Sequence, residues 1–271
     1  MSERKTVLIT GSSIGIGLAT AEIFQQRGWQ VVATMRNPDA GSDLAKLDNV
    51  LVTRLDVTDE GSIESAVAAA HARFGAIDVV VNNAGYGAYG VLEATSIDSM
   101  RRQFETNVIG LLAVTKAVAP GFRARRNGVI VNVSSVAGRR TLPLGALYCG
   151  SKFAVEGISE ALSYEMRDIG VQVKVVEPGF IKTNFRNAMD FSNDPSLSEY
   201  QPLIGKLWEF VEPMAARGAE SSLAAEVIYT AATDGTDQLR YTVGEDAKAM
   251  LGERNSQDAA SFAGMRAMFG Q

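Results

Sequence analysis

Short apolar runs rich in valine and isoleucine alternate with longer stretches of helical period along most of the chain. The runs lie at residues 7–9, 31–33, 50–55, 79–81, 129–133 and 171–176, with a weaker one at 239–243. Between them, residues 15–27, 60–74, 100–124, 151–168 and 220–233 place apolar side chains three and four positions apart, the spacing of one helix face. Strands buried on both faces read as continuous apolar runs, and the helices between them make the crossovers of a parallel sheet. The pattern predicts an α/β fold: a doubly wound, parallel, seven-stranded sheet with helices on both faces.

One stretch departs from the alternation. Residues 180–218 carry Phe185, Met189, Phe191, Tyr200, Leu203, Leu207, Trp208, Phe210 and Met214 without a strand signal, and read as a helical insertion resting on the sheet. Residues 245–271 read as a helical tail. No composition shift, repeat or low-complexity tract marks a linker, so residues 1–271 are expected to form a single domain.

Composition narrows the function classes. Apolar residues make up 46% and charged residues 21%, as in ordinary globular proteins. A net charge of −5 argues against a protein that binds by neutralising nucleic-acid phosphates, and the arginine pairs at 101/102, 125/126 and 139/140 are scattered. Cys149 is the single cysteine, which excludes an intrachain disulfide and a thiolate metal cluster and fits a reducing cytoplasm. His71 has no second histidine to share a metal or a hydrolase triad, and is expected at the surface. The apolar stretch among the first ten residues is too short for a signal-peptide core. Lys116 interrupts the longest later candidate for a membrane helix, between residues 108 and 120. The expectation is a cytoplasmic protein with neither a membrane nor a nucleic-acid partner and no metal.

The first strand runs directly into Thr10-Gly11-Ser12-Ser13-Ile14-Gly15-Ile16-Gly17, where a helix begins. A strand, a glycine turn and a helix start bring backbone N–H groups against a pyrophosphate, and glycine removes the Cβ from the approach. The spacing is Gly-x-x-x-Gly-x-Gly and differs from the general dinucleotide fingerprint. Here the chain resembles the short-chain dehydrogenase/reductase family, whose glycine turn has this spacing. Asn82-Asn83-Ala84-Gly85 after the fourth strand, Asp56-Val57 after the third, and Pro178-Gly179 with Thr183 after the sixth extend the resemblance over roughly residues 5–185, in the family's order. The resemblance implies a Rossmann-like sheet and a nicotinamide cofactor. Its expected contacts are Gly11, Ser13, Ile14, Gly15, Ile16 and Gly17 in the turn, Asp56 and Val57 at the adenine, and Asn83, Ala84 and Gly85. At the nicotinamide they are Pro178, Gly179, Ile181 and Thr183, with Tyr148 and Lys152.

Met35 stands at the end of the second strand, where NAD-preferring members carry an acid, and Arg36 follows it. An acid there binds the ribose hydroxyls and repels a 2′-phosphate, whereas a guanidinium holds that phosphate. The reading is NADP(H), with a solvated loop residue as the alternative for Arg36. Ile14 occupies the family's second basic position for NADP(H), so selectivity would rest on fewer charges.

Tyr148 and Lys152 are spaced i and i+4 and share one helix face. Ser135 ends the fifth strand thirteen positions earlier, where an open parallel sheet presents ligand-binding residues; Ser134 is its alternative. Asn107 completes the set of four that the family uses. Hydride transfer to a ketone builds negative charge on its oxygen, which must be stabilised and protonated. The expected roles are Tyr148 as acid/base, Lys152 as the ammonium that lowers the tyrosine pKa and grips the ribose, and Ser135 as a second donor. By resemblance, Asn107 holds a water that links Lys152 to solvent. Cys149 points away from Tyr148 on the helix and is read as packing.

The resemblance also makes residues 180–218 the substrate lid. Their aromatic and methionine content, with Tyr86 and Tyr89, suggests an apolar aryl, alicyclic or steroid-like carbonyl or alcohol, although the stripe could be no more than the inner face of a lid helix. The segment from Tyr148 to Gly157 is similar to that of NADP-preferring hydroxysteroid and retinol dehydrogenases, and the whole to carbonyl reductases. Two other readings stay open: an NADP(H)-binding sensor without turnover, and an epimerase or dehydratase. The family is usually dimeric or tetrameric, which implies a homodimer or homotetramer here.

Overall fold

The structure is a computed structural model that describes residues 4–256 apart from 184 and 186–188, together with 264 and 267; most of the predicted tail beyond 256 lies outside the described residues. In chain order the elements are β1 (Thr6–Thr10), α1 (Gly15–Gln26), β2 (Gln30–Met35), β3 (Val50–Arg54), α2 (Glu60–Phe74), β4 (Val79–Asn82) and β5 (Ala88–Gly90). There follow α3 (Ile97–Phe104), α4 (Gly110–Arg125), β6 (Gly128–Val133), α5 (Ala146–Arg167), β7 (Val171–Pro178), β8 (Ile181–Lys182) and β9 (Asp190–Ser192). The last are α6 (Gln201–Ala216), β10 (Ala219–Glu220), α7 (Ser221–Thr233), β11 (Arg240–Val243) and α8 (Glu245–Ser256).

The seven predicted runs are the seven strands of one sheet, in the order β11-β7-β6-β4-β1-β2-β3. Every pairing in it is parallel. Because strand side chains alternate between faces, Val7 and Ile9 pack with Ala21 and Phe24 of α1 and Ala224 and Ile228 of α7. Leu8 packs on the opposite face with Ile63 of α2 and Val114, Val118 and Phe122 of α4. The chain moves outward from β1 to β3, then returns to β4 on the other side of β1. That reversal leaves a crevice at the carboxyl ends of β1 and β4, where open α/β sheets bind ligands.

Three local features differ from the sequence pattern. The stretch at 100–124 is not one helix: a π-turn over Glu105–Ile109 separates α3 from α4. The widened turn lets Asn107 reach the backbone of Tyr86, and Gly110 fits against Val57, whose Cβ would lie 2.7 Å from a Cβ at 110. The helix at 151–168 starts earlier, at Ala146, so Tyr148 and Lys152 both lie within it. The insertion at 180–218 holds short strands as well as a helix: β8 pairs with β10, and β9 pairs with β5, placing Tyr89 opposite Phe191. Ladders of two or three residues are too short to show as alternation in sequence. Among the described residues, no helix is long and apolar enough to cross a membrane.

Candidate active site

The glycine turn is built from close backbone approaches. Gly11 and Gly15 have φ of 71° and 60°, the left-handed region that disfavours side chains. Gly17 is helical, but a Cβ there would lie 2.2 Å from Gly11 O and 2.6 Å from Asn83 Nδ2. Asn83 Nδ2 donates to Thr10 O and Gly11 O at 2.9 and 3.2 Å, and Thr10 Oγ1 accepts the N–H groups of Asn83 and Ala84, both at 3.0 Å. Asn83 thus clamps the end of β1 to the end of β4. The first turn of α1 has no side-chain cap at Ile14, so its N–H groups face the crevice, as an anion site requires.

This turn forms one end of a cavity of about 1160 Å³. Of the expected cofactor contacts, Gly11, Ser13, Ile14, Gly15, Ile16, Arg36, Asp56, Val57, Asn83, Ala84, Gly85, Pro178, Gly179, Ile181 and Thr183 line it, as do Ser135, Tyr148 and Lys152. Gly17 and Asn107 stand behind the wall. Arg36 is exposed at the rim next to buried Met35. The Asp56 carboxylate accepts from the N–H and hydroxyl of Thr58 at 3.0 and 2.8 Å, which fixes the turn after β3.

At the other end of the cavity, Ser135 follows β6 in extended conformation. Its Oγ accepts from Ala137 N at 3.1 Å, donates to Pro178 O at 3.4 Å and faces the Tyr148 hydroxyl. The serine that meets Tyr148 is therefore Ser135. Ser134 is turned toward Gly138 and Glu156.

The Tyr148 ring lies between Tyr89 and Phe185, with centroids at 5.2 and 5.5 Å. Burial pushes its phenol up to about 12, with Ser135 acting against the rise and Cys149 adding to it. Lys152 Nζ donates to Val133 O at 2.8 Å and stands 5.9 Å from the Tyr148 ring centroid. Burial pushes its amine down to about 8, with Glu156 opposing. Low polarity penalises the charged form of both groups.

Asn107 is fully engaged. Its Oδ1 accepts from Tyr86 N at 3.1 Å, and its Nδ2 donates to Tyr86 O at 2.9 Å and Ser151 Oγ at 3.1 Å. It ties the loop after β4 to the start of α5. Cys149 is buried and its thiol is pushed up by burial, in keeping with packing; His71 is exposed and its Nδ1 pairs with Gly75 O at 2.9 Å.

Much of the remaining wall is apolar. Phe191 and Trp208 meet at 5.2 Å, and Leu142, Leu207 and Met214 line the same space. Sequence reasoning missed Arg140, Met250 and Glu253, which also line it. Arg140 NH1 lies 2.5 Å from Glu253 Oε2, which fastens α8 to the loop after β6, and Asp246 Oδ2 accepts from Phe180 N at 2.7 Å. No sequence spacing signals these contacts, which join positions more than sixty residues apart.

Comparison with known proteins agrees with this geometry. An uncharacterized oxidoreductase of Schizosaccharomyces pombe is 46% identical over 228 residues, covering 84% of this chain and 96% of that protein. A short-chain dehydrogenase from Streptomyces avermitilis superposes with a TM-score of 0.85 at 33% identity, over 98% of both chains. Two further solved structures carry a nicotinamide cofactor. ElxO holds NADP (TM-score 0.76, 26% identity, 91% of this chain and 99% of that one). A short chain dehydrogenase/reductase from Burkholderia phymatum is in complex with NAD (0.78, 25%, 94% and 95%). The profile described as short chain dehydrogenase matches residues 5–193, and with these relatives it shows that the chain is an oxidoreductase of the short-chain dehydrogenase/reductase family.

Proposed function

We propose that the protein is an NADP(H)-dependent carbonyl reductase or alcohol dehydrogenase acting on an apolar ketone or secondary alcohol, with Tyr148 as its acid/base. The observation that carries this reading is one cavity with the glycine turn and Arg36 at one end and the Tyr148–Ser135 pair beneath an aromatic wall at the other.

The residues present fit a nicotinamide dinucleotide. The Gly11–Gly17 turn, which a Cβ at Gly17 would fill, and the uncapped start of α1 would hold its pyrophosphate, and Arg36 a 2′-phosphate. When bound, the cofactor supplies or accepts the hydride. Tyr148 gives its proton to the carbonyl oxygen, and Ser135 donates a second hydrogen bond that divides the developing charge. Phe191, Leu207, Trp208 and Met214 exclude water from the reacting carbon and favour an aryl, alicyclic or steroid-like substrate. A homodimer or homotetramer is supported by exposed Phe104, Ile109, Phe153 and Tyr164 along the α3–α4 and α5 faces.

The direct test is NADPH and NADH consumption with a panel of apolar ketones and aldehydes. Turnover with NADPH supports the reading; NADPH binding without turnover on any member sinks it. Arg36→Ala is expected to reduce the preference for NADPH over NADH by about 10- to 100-fold, the loss of one charged hydrogen bond. An unchanged ratio of kcat/KM would remove Arg36 from cofactor choice. The pH dependence follows from Lys152: its amine is charged below about 8 and neutral above. The reduction kcat/KM is therefore expected to be level below that pH and to fall above it, as a stopped-time assay across pH 6–10 would show.

A further inference from the structure

Taking Tyr148 as the acid/base proposed above and the charge of Lys152 as what sets the pH dependence, we infer that Glu156 is a positioning residue of this site. Its buried carboxylate, fixed by Arg240, is the counter-charge that lets Lys152 keep its ammonium form inside the protein.

Glu156 lies one helical turn beyond Lys152 on the buried face of α5, and is 5% exposed. The loop after β6 presses on this same strip: a Cβ at Gly138 would meet Ser134 Oγ at 2.7 Å, Lys152 O at 2.9 Å and Glu156 Cγ at 3.0 Å. Glu156 Oε2 accepts from Arg240 Nε of β11 at 3.0 Å, and Arg240 NH2 reaches Glu160 at 2.6 Å. Glu177 of β7, fully buried, faces the same guanidinium at 3.8 Å, pairs with Arg139 at 3.2 Å and accepts from Thr242 Oγ1 at 3.0 Å.

The charged and titratable groups around Glu156 are thus Lys152 and Glu160 on its own helix, Arg240 from β11, Glu177 from β7, and Arg139 beyond Glu177. Ser134 approaches from the loop after β6. Carboxylates and cations balance only if Lys152 is counted as charged. Buried ion pairs are poor devices for stability, because apolar residues of the same volume serve as well or better. A cluster of this depth, one helical turn along α5 from the lysine of the active site, is better explained by what it does to that lysine. The amine's hydrogen-bond partner is the neutral Val133 carbonyl, which offers no charge. Glu156 is the group that opposes the effect of burial on Lys152. Burial also pushes the Glu156 carboxyl up, helped by Glu177, while Ser134 and Arg240 act against it.

The test compares wild type, Glu156→Gln and Glu156→Asp in the NADPH-dependent reaction across pH. In parallel, the 13Cε resonance of Lys152 is titrated by NMR, a readout that needs no turnover. In Glu156→Gln the alkaline limb of kcat/KM and the Lys152 titration are expected to move together to lower pH by about one unit, with rates converging on wild type below the limb. Glu156→Asp restores the wild-type profile. If Glu156→Gln does not fold, Glu156→Met serves instead, since Arg240 keeps Glu160 as a partner. An unmoved titration, or an equal loss of rate at every pH, overturns the inference. A displaced titration in a protein that turns over no carbonyl keeps the coupling of Glu156 to Lys152 and sinks the proposed reaction instead.

Discussion

Tyr148→Phe is expected to lower NADPH-dependent carbonyl reduction by about 10²–10⁴-fold while leaving the fold and NADPH affinity unchanged. The change removes one hydroxyl and nothing else that packs. The ring stays between Tyr89 and Phe185, and Ser135 retains Ala137 N–H and Pro178 O as partners. The thermal midpoint should therefore correspond to a stability within about 1 kcal/mol of wild type. What disappears is the proton donor to the substrate oxygen. The measurements are NADPH consumption with the best substrate of the panel, a thermal melt, and NADPH titration by fluorescence. Full activity in the variant would move the acid elsewhere, and Tyr89, stacked on Tyr148 at 5.2 Å, would be the next phenol to replace.

Gly17→Ala carries the second large effect, and helix propensity alone gets its sign wrong. Gly17 is inside α1, and alanine is favoured over glycine in a helix by about 1 kcal/mol. Here the added Cβ would sit 2.2 Å from Gly11 O and 2.6 Å from Asn83 Nδ2, so the turn or the Asn83 clamp must open. Overpacking of this kind costs about 1–3 kcal/mol or more. Loss of two backbone contacts to a pyrophosphate would weaken NADPH binding by more than about a hundredfold. Gly157→Ala is the control. It lies on the exposed face of α5 with nothing within 4 Å of an added Cβ, and should stabilise the protein by up to about 1 kcal/mol. Chemical denaturation of both variants decides the matter; a Gly17→Ala protein as stable as wild type would mean that the turn is not clamped as described.

The legible part of this protein is the part governed by local rules. The seven apolar runs correspond to the seven sheet strands because a strand buried on both faces must be apolar at every position, as residues 7–9 are. The glycine turn was readable because positive φ at Gly11 and Gly15 restricts the residue type. The Tyr148–Lys152 pair was readable because four positions make one helical turn. Its neighbour in space, Ser135, was identifiable only as the end of a strand that an open sheet presents to its ligands.

Other features were invisible for a physical reason. The π-turn around Asn107 arises from bonds to Tyr86 and Ser151, twenty-one and forty-four positions away, not from any local preference. The ladders of β5 with β9 and β8 with β10 are too short to leave a period. The ionisation of Tyr148 and Lys152 is not legible in a spacing, which reveals that two groups are near, whereas their pKa depends on how much water the rest of the fold removes from them. Sequence alone determined which residues become strands, where the backbone must turn and which chemistry sits on one helix face, because these follow from φ/ψ sterics and side-chain period. Only the tertiary structure decided how deeply that chemistry is buried and which distant charges surround it, because desolvation and long-range pairing are properties of the packed chain.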